Sequence, residues 1–293
     1  MMALLPVLAV LSAAPLAEAD ALVLGVLEQP QCNKAVATAV RALFVKRAEG
    51  WVALSSQETW QGVPLARTAW TVALEGRSLG SVATIDPGFQ SELAWTFPRD
   101  RLLQVQTLRG QAVPTVANEG DRFSGWCGVP STRPLVVLSR PNTREPDGWK
   151  TFGPDNALRA RLFEEFKSHA GPASVCPAAP DKRVPLAYSA KDLMFGRSYQ
   201  DHAGRKIVLL SLDARRNNCD GPPDPAWSTH AFVLQEGEAL QYLGRDLTLV
   251  DAGDYDENGA SELLFWHSSD NEDGYTLVYD GLRKHVDYYW RYH

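Results

Sequence analysis

The sequence predicts a mainly β fold: antiparallel hairpins and meanders, propeller-like or an open sandwich, with one helix near residues 154–170. Three observations carry this expectation. Nine tryptophans, nine tyrosines and ten phenylalanines suit the pleated, half-buried surface of a sheet. Short apolar runs recur between clusters of Gly, Pro, Asn and Asp, the punctuation of strands and turns. One stretch alone sustains a clear helical period. With 293 residues, 45% hydrophobic and 22% charged, the chain can build a core as one large domain or two ordinary ones. A net charge of −6 without long runs argues against the basic face of a nucleic-acid binder.

Residues 1–19 read as an export signal. Their apolar core, residues 4–14, is too short to span a bilayer, and Ala17-Glu18-Ala19 places small residues at the cleavage-recognition positions. Cleavage is expected before Asp20, with no cysteine there to carry a lipid. No later stretch is long and apolar enough to cross a membrane, so the expected location is secreted or periplasmic. Four cysteines, Cys32, Cys127, Cys176 and Cys219, fit that compartment as two disulfides, with three pairings open. No Cys-x-x-Cys pair favours zinc. The expected organisation is residues 1–19 as signal, 20–172 as a β-rich region with one helix, and 185–293 as a C-terminal β-meander. The Pro- and Ala-rich stretch 171–185 is the connector.

Residues 21–27 form an apolar run that predicts a buried strand. A hairpin is expected over residues 40–55 and a clearer one over 69–85, turning at Gly76. That turn spells Gly76-Arg77-Ser78-Leu79-Gly80, which matches a nucleophile elbow in letters only. The elbow needs a helix after the serine, and Ser81-Val82-Ala83-Thr84-Ile85 predicts a strand. Short strands are expected over 102–108 and 112–117, and Leu135-Val136-Val137-Leu138 reads as an interior strand. Residues 140–149 read as a loop. Leu158, Leu162 and Phe166 repeat every four residues and make one apolar helix face. Pro154 and Asp155 suit its start and Gly171-Pro172 its stop, and His169 in its last turn would meet the helix dipole. Beyond the connector the pattern is a β meander with strands near 205–212, 230–235, 239–243, 247–250, 263–266, 275–279 and 285–292. Residues 207–221, an apolar strand running into an acidic loop, form a faint repeat of 247–259.

The chemistry concentrates in that second loop. Asp254, Asp256 and Asn258 alternate, Gly259 follows, and Glu262 stands at the ninth place. A hard cation such as calcium takes six to eight oxygens at about 2.3–2.6 Å, and side chains at positions one, three and five of a tight loop can converge on one. Apolar runs on both sides read as strands, where a helix–loop–helix calcium hand would have helices. Without a metal, Asn-Gly is also an ordinary hairpin turn. Asp251 and the patch Asp270, Asn271, Glu272 and Asp273 are further oxygen sources, the patch more simply a solvated turn. The six histidines lack i, i+4 spacing, and no phosphate-binding glycine loop occurs. Trp266, Tyr279, Tyr289 and Trp290 alternate as core residues do.

Strand, Asp254-x-Asp256-x-Asn258-Gly259-x-x-Glu262, strand resembles the calcium loop of FG-GAP/VCBS-type repeats, the motif of integrin-α propellers. The resemblance covers residues 247–293 in one clear copy. The FG-GAP tripeptide is absent, and Glu262 stands where the family usually has Asp. Residues 270–279 and 288–293 also resemble the C-terminal ends of secreted proteins of predatory soil bacteria, a likeness that brings no activity with it. The calcium-loop resemblance implies ligands from Asp254, Asp256, Asn258, the Ala260 main-chain oxygen and Glu262. The expectation is an exported, non-catalytic binding or structural protein stabilised by one calcium ion. Its partner would be an extracellular protein or glycan surface. The alternatives are an exported hydrolase with loop-borne catalytic residues and an envelope component without a soluble ligand.

Overall fold

Continuous apolar runs along short strands leave those strands two faces to bury, and this chain buries them by stacking sheets. The structure, a computed structural model, describes residues 21–28, 38–56, 58–61, 63, 68–84, 90–91, 104–108, 111–116, 123, 125, 130, 132–141, 143–235 and 240–291. In chain order the strands are β1 (Val23–Glu28), β2 (Ala39–Arg47), β3 (Gly50–Ala53), β4 (Ala69–Leu74), β5 (Arg77–Ala83), β6 (Gln90–Ser91), β7 (Gln104–Thr107), β8 (Leu135–Leu138) and β9 (Lys150–Phe152). Helix α1 (Asn156–Ala170) follows, then β10 (Ala173–Val175), β11 (Val184–Leu186), β12 (Leu193–Phe195), β13 (Ser198–Gln200), β14 (Lys206–Leu212), β15 (His230–Leu234) and β16 (Leu240–Arg245). The last four are β17 (Leu247–Gly253), β18 (Glu262–Ser269), β19 (Glu272–Tyr279) and β20 (Lys284–Arg291).

All described pairings are antiparallel. The first sheet has eight strands, in the order β5-β4-β8-β1-β2-β7-β6 with β3 on β2. The last four strands form a meander, β17-β18-β19-β20. A third sheet runs β16-β15-β14-β13-β9 with β12 also on β14, and β10 and β11 make a two-stranded ribbon inside the connector. No described sheet closes into a barrel, and the arrangement is that of an open sandwich. The expected elements sit where periodicity put them, with one exception: residues 111–116 form no strand. There the side-chain amide of Gln111 pairs with the backbone of Ala83, donating to its carbonyl at 2.6 Å and accepting its N–H at 3.1 Å. Pro114 has no N–H to give a ladder.

The meander is the middle layer. Leu264, Trp266, Tyr275, Leu277, Tyr288 and Trp290 pack with Leu24, Phe44, Trp70 and Val136 of the first sheet. On its other face Leu249, Leu263, Phe265 and Val278 pack with Ile207, Leu209, Ala231 and Val233 of the third sheet. Burial on both faces explains why Leu263-Leu264-Phe265-Trp266 is a continuous apolar run rather than an alternating one. The third sheet is covered in turn by α1, whose Leu162 and Phe166 meet Val208, Leu210 and Phe232. Asp155 caps α1, its carboxylate accepting the Leu158 N–H at 2.8 Å. His169 lies flat on Tyr242, ring centroids 3.9 Å apart, a stacking role that the dipole argument did not foresee. Cys176 and Cys219 form a disulfide. Cys32, Cys127 and the expected signal segment lie outside the described residues.

Candidate metal centre

The loop between β17 and β18 begins where β17 is distorted by one extra residue. Leu249 pairs with Phe265, but the next pair is Asp251 with Leu264, so Val250 is a bulge. Val250 and Leu264 both pack against the first sheet. Glu262 is the first residue of β18 and lies two before Leu264, which places it on that same face. Two glycines make the turn feasible. A Cβ on Gly253 would come within 2.5 Å of the Tyr255 ring, which folds back over it. Gly259 sits at φ +89°, where glycine carries no steric cost.

The three carboxylates among the five predicted ligands come together. Carboxylate oxygens of Asp254, Asp256 and Glu262 lie within 4.8 Å of one another. Asp254 is 5% exposed and Glu262 1%. Amides orient the set: Tyr255 N–H donates to Glu262 Oε2 at 2.7 Å, Gly259 N–H to Asp254 Oδ2 at 3.1 Å, and Asn258 N–H to Asp256 Oδ1 at 3.2 Å. Asn258 itself is exposed. Its Oδ1 accepts the Ala260 N–H at 2.9 Å, and its Nδ2 donates to Glu262 Oε1 at 3.4 Å. Asn258 thus touches both the turn, through Ala260, and the carboxylate centre, through Glu262.

Burial and crowding mark the centre electrostatically. The Glu262 carboxyl is pushed up to about 8, first by burial and then by the charges of Asp256 and Asp254. Asp254 is raised as well, again by burial first. A cationic side chain meets the set: Lys46, at the end of β2, forms an ion pair with Asp256 Oδ2. Its ammonium also stands 5.6 Å from the Trp51 ring centre.

The further oxygen sources have other tasks. Asp251 is buried and turned to the first sheet, where it accepts the Glu75 N–H at 2.7 Å and the Tyr255 hydroxyl at 3.0 Å. Burial lifts its carboxyl to about 6. Of the acidic patch, Asp270 and Asn271 form the β18–β19 turn, with Asn271 at φ +61°, whereas Glu272 and Asp273 begin β19 and Asp273 is buried rather than solvated. An eight-residue strand separates the patch from the loop by about 23 Å at 3.3 Å per residue. Ser78 lies exposed on β5 with no helix after it, and its Oγ accepts the Gly80 N–H.

Residues that the sequence did not single out hold the loop in place. The Arg144 carbonyl accepts the Asp254 N–H at 2.7 Å. Glu145 Oε1 accepts the Ser261 hydroxyl at 2.8 Å, and Asp147 Oδ2 the Ser261 N–H at 2.8 Å. Asp147 also pairs with Arg205 Nη2 at 2.9 Å, on the approach to the third sheet. Arg133 Nε donates to the Val250 carbonyl at 2.8 Å. Side chains from two distant parts of the chain, Lys46 and the pair Glu145 and Asp147, thus meet at one loop, and no local pattern announces them. No family model, curated protein or solved structure matches this chain.

Proposed function

We propose that this is an exported, non-catalytic binding or structural protein whose central sheet is locked by one calcium ion at Asp254, Asp256 and Glu262. The observation that carries the reading is the meeting of three carboxylates within 4.8 Å, two of them from buried residues, with the Lys46 ammonium on Asp256. Like charges so placed cost free energy unless a proton or a cation joins them. The donors are all hard oxygens, the preference of calcium rather than of softer metals. The Ala260 carbonyl and solvent would supply further oxygens. A bound ion would neutralise the loop and fasten β17 to β18 where the middle layer meets the first sheet.

The Cys176–Cys219 disulfide supports an oxidising compartment, in keeping with the apolar leader. No helix among the described residues is long and apolar enough to cross a membrane. The partner in this reading is an extracellular protein or glycan surface, with the ion serving stability rather than turnover. The test is thermal unfolding with calcium and with chelator, in wild type, Asp254→Asn and Glu262→Gln. Chelator should lower the wild-type Tm and leave both variants unmoved. A wild-type Tm indifferent to calcium sinks the reading.

A further inference from the structure

A cation from elsewhere in the chain already sits at the carboxylate centre. Lys46 is 210 residues from Asp256 in sequence, yet its ammonium reaches Asp256 Oδ2 from the neighbouring sheet. The Asp256 side chain is only 3% exposed, whereas that of Lys46 is 32% exposed. The lysine therefore covers the carboxylate from the solvent side and keeps a path back to water. Its cross-strand partner is Trp51, whose ring centre lies 5.6 Å from the ammonium and offers a second resting place through cation–π attraction.

We propose that Lys46 is an affinity- and charge-setting residue of this centre, an internal cation with which an incoming divalent ion must compete for Asp256. The inference rests on the metal reading above. With all three carboxylates ionised, the state an arriving ion requires, they set three negative charges against the positive charge of Lys46, which favours a divalent ion over a monovalent one. A lysine ammonium is a compact point charge on a flexible stem, so it can yield Asp256 without moving β2. Its repulsion of a second cation a few ångströms away weakens ion binding. It also keeps the carboxylates compensated when the ion is absent. Lys46 thereby ties the ion state of the C-terminal loop to the β2–β3 hairpin of the first sheet.

The experiment is calorimetric titration of the full chain with calcium chloride, comparing wild type, Lys46→Met and Lys46→Arg, with melting curves in chelator and in calcium. Lys46→Met should bind calcium at least about tenfold more tightly, by removing one like charge at close range, and Lys46→Arg should stay near wild type. In chelator Lys46→Met should melt below wild type, and saturating calcium should close that gap. Should the methionine variant fold poorly, Lys46→Gln is read by the same criteria. A neutral variant with a Kd within twofold of wild type overturns the role of Lys46 while leaving the metal centre standing. A wild type that shows no calcium binding at all overturns the metal reading, and this inference with it.

Discussion

Two acidic loops in this protein follow apolar strands in similar sequence, and they handle their charge in opposite ways. The loop after β14 begins with Asp213, which is gripped by Arg215 through Nε at 2.8 Å and Nη2 at 2.7 Å. Arg216 pairs with Asp192 at 2.6 Å. Asn218 Oδ1 accepts the Cys176 N–H at 2.8 Å, and the disulfide follows at Cys219. Asp213 is held below its ordinary value by Arg215. The loop after β17 carries similar residue types but buries Asp254 and Glu262, and the carboxyls of these two rise instead of falling. The first loop is compensated by its own arginines and a covalent staple. The second brings three carboxylates together with the Lys46 ammonium on one of them, the arrangement on which the ion reading rests. Residue type alone does not make a metal centre; burial and the count of compensating charges decide.

The largest expected effect comes from cutting the staple of the first loop. Replacing Cys176 and Cys219 by serine opens a cross-link 43 residues apart, a loss of about 4 kcal/mol on the chain-entropy account. Denaturant unfolding measures it, and calcium affinity should not change, since the carboxylate loop belongs to another sheet. Next comes the ion. Calcium at a hundredfold excess over its Kd should add about 2.7 kcal/mol to unfolding free energy, and Glu262→Gln should abolish that increment. Smaller again is the effect of one pH unit. The metal-free Glu262 carboxyl, at about 8 against an ordinary 4.5, keeps its proton in the fold while the unfolded chain loses it. Without calcium, stability should therefore fall as pH rises from 4.5 to 8. Because the ion must displace that proton, its apparent affinity should drop up to about tenfold, or about 1.4 kcal/mol, per unit below pH 8. Least of all should come from Arg215→Ala: this exposed pair is of the kind that contributes little, and the Tm should not move.

Much of the fold was legible because period and punctuation are local. The 135–138 run is an interior strand, the 69–85 hairpin turns at Glu75-Gly76, and α1 ends at Gly171. The ribbon in the connector escaped notice because Val184-Pro185-Leu186 has neither length nor alternation to mark it. At the site, alternation of Asp254 and Asp256 with Glu262 further on pointed to the cluster, since loop spacing governs which side chains converge. Asn258 spends its side-chain oxygen on the Ala260 N–H, because an Asn in a tight turn has backbone amides of its own to serve. Lys46, Arg144, Glu145 and Asp147 were invisible for a different reason. Their contacts to the loop span more than a hundred residues, and sheet stacking is not written in any local window. Nor did Asp251 show that its carboxylate faces Glu75, because the Val250 bulge that turns it has no sequence signature here.

Terbium substitutes for calcium at oxygen sites and emits when an aromatic ring nearby passes it excitation. Tyr255 and Trp51 flank the carboxylate centre, the first through its amide on Glu262 and the second through Lys46. Excited through those rings, wild-type protein should give terbium emission that saturates at one equivalent, is quenched by added calcium, and disappears in Glu262→Gln. Emission absent from wild type, or equally bright in Glu262→Gln, would contradict a cation held by Asp254, Asp256 and Glu262.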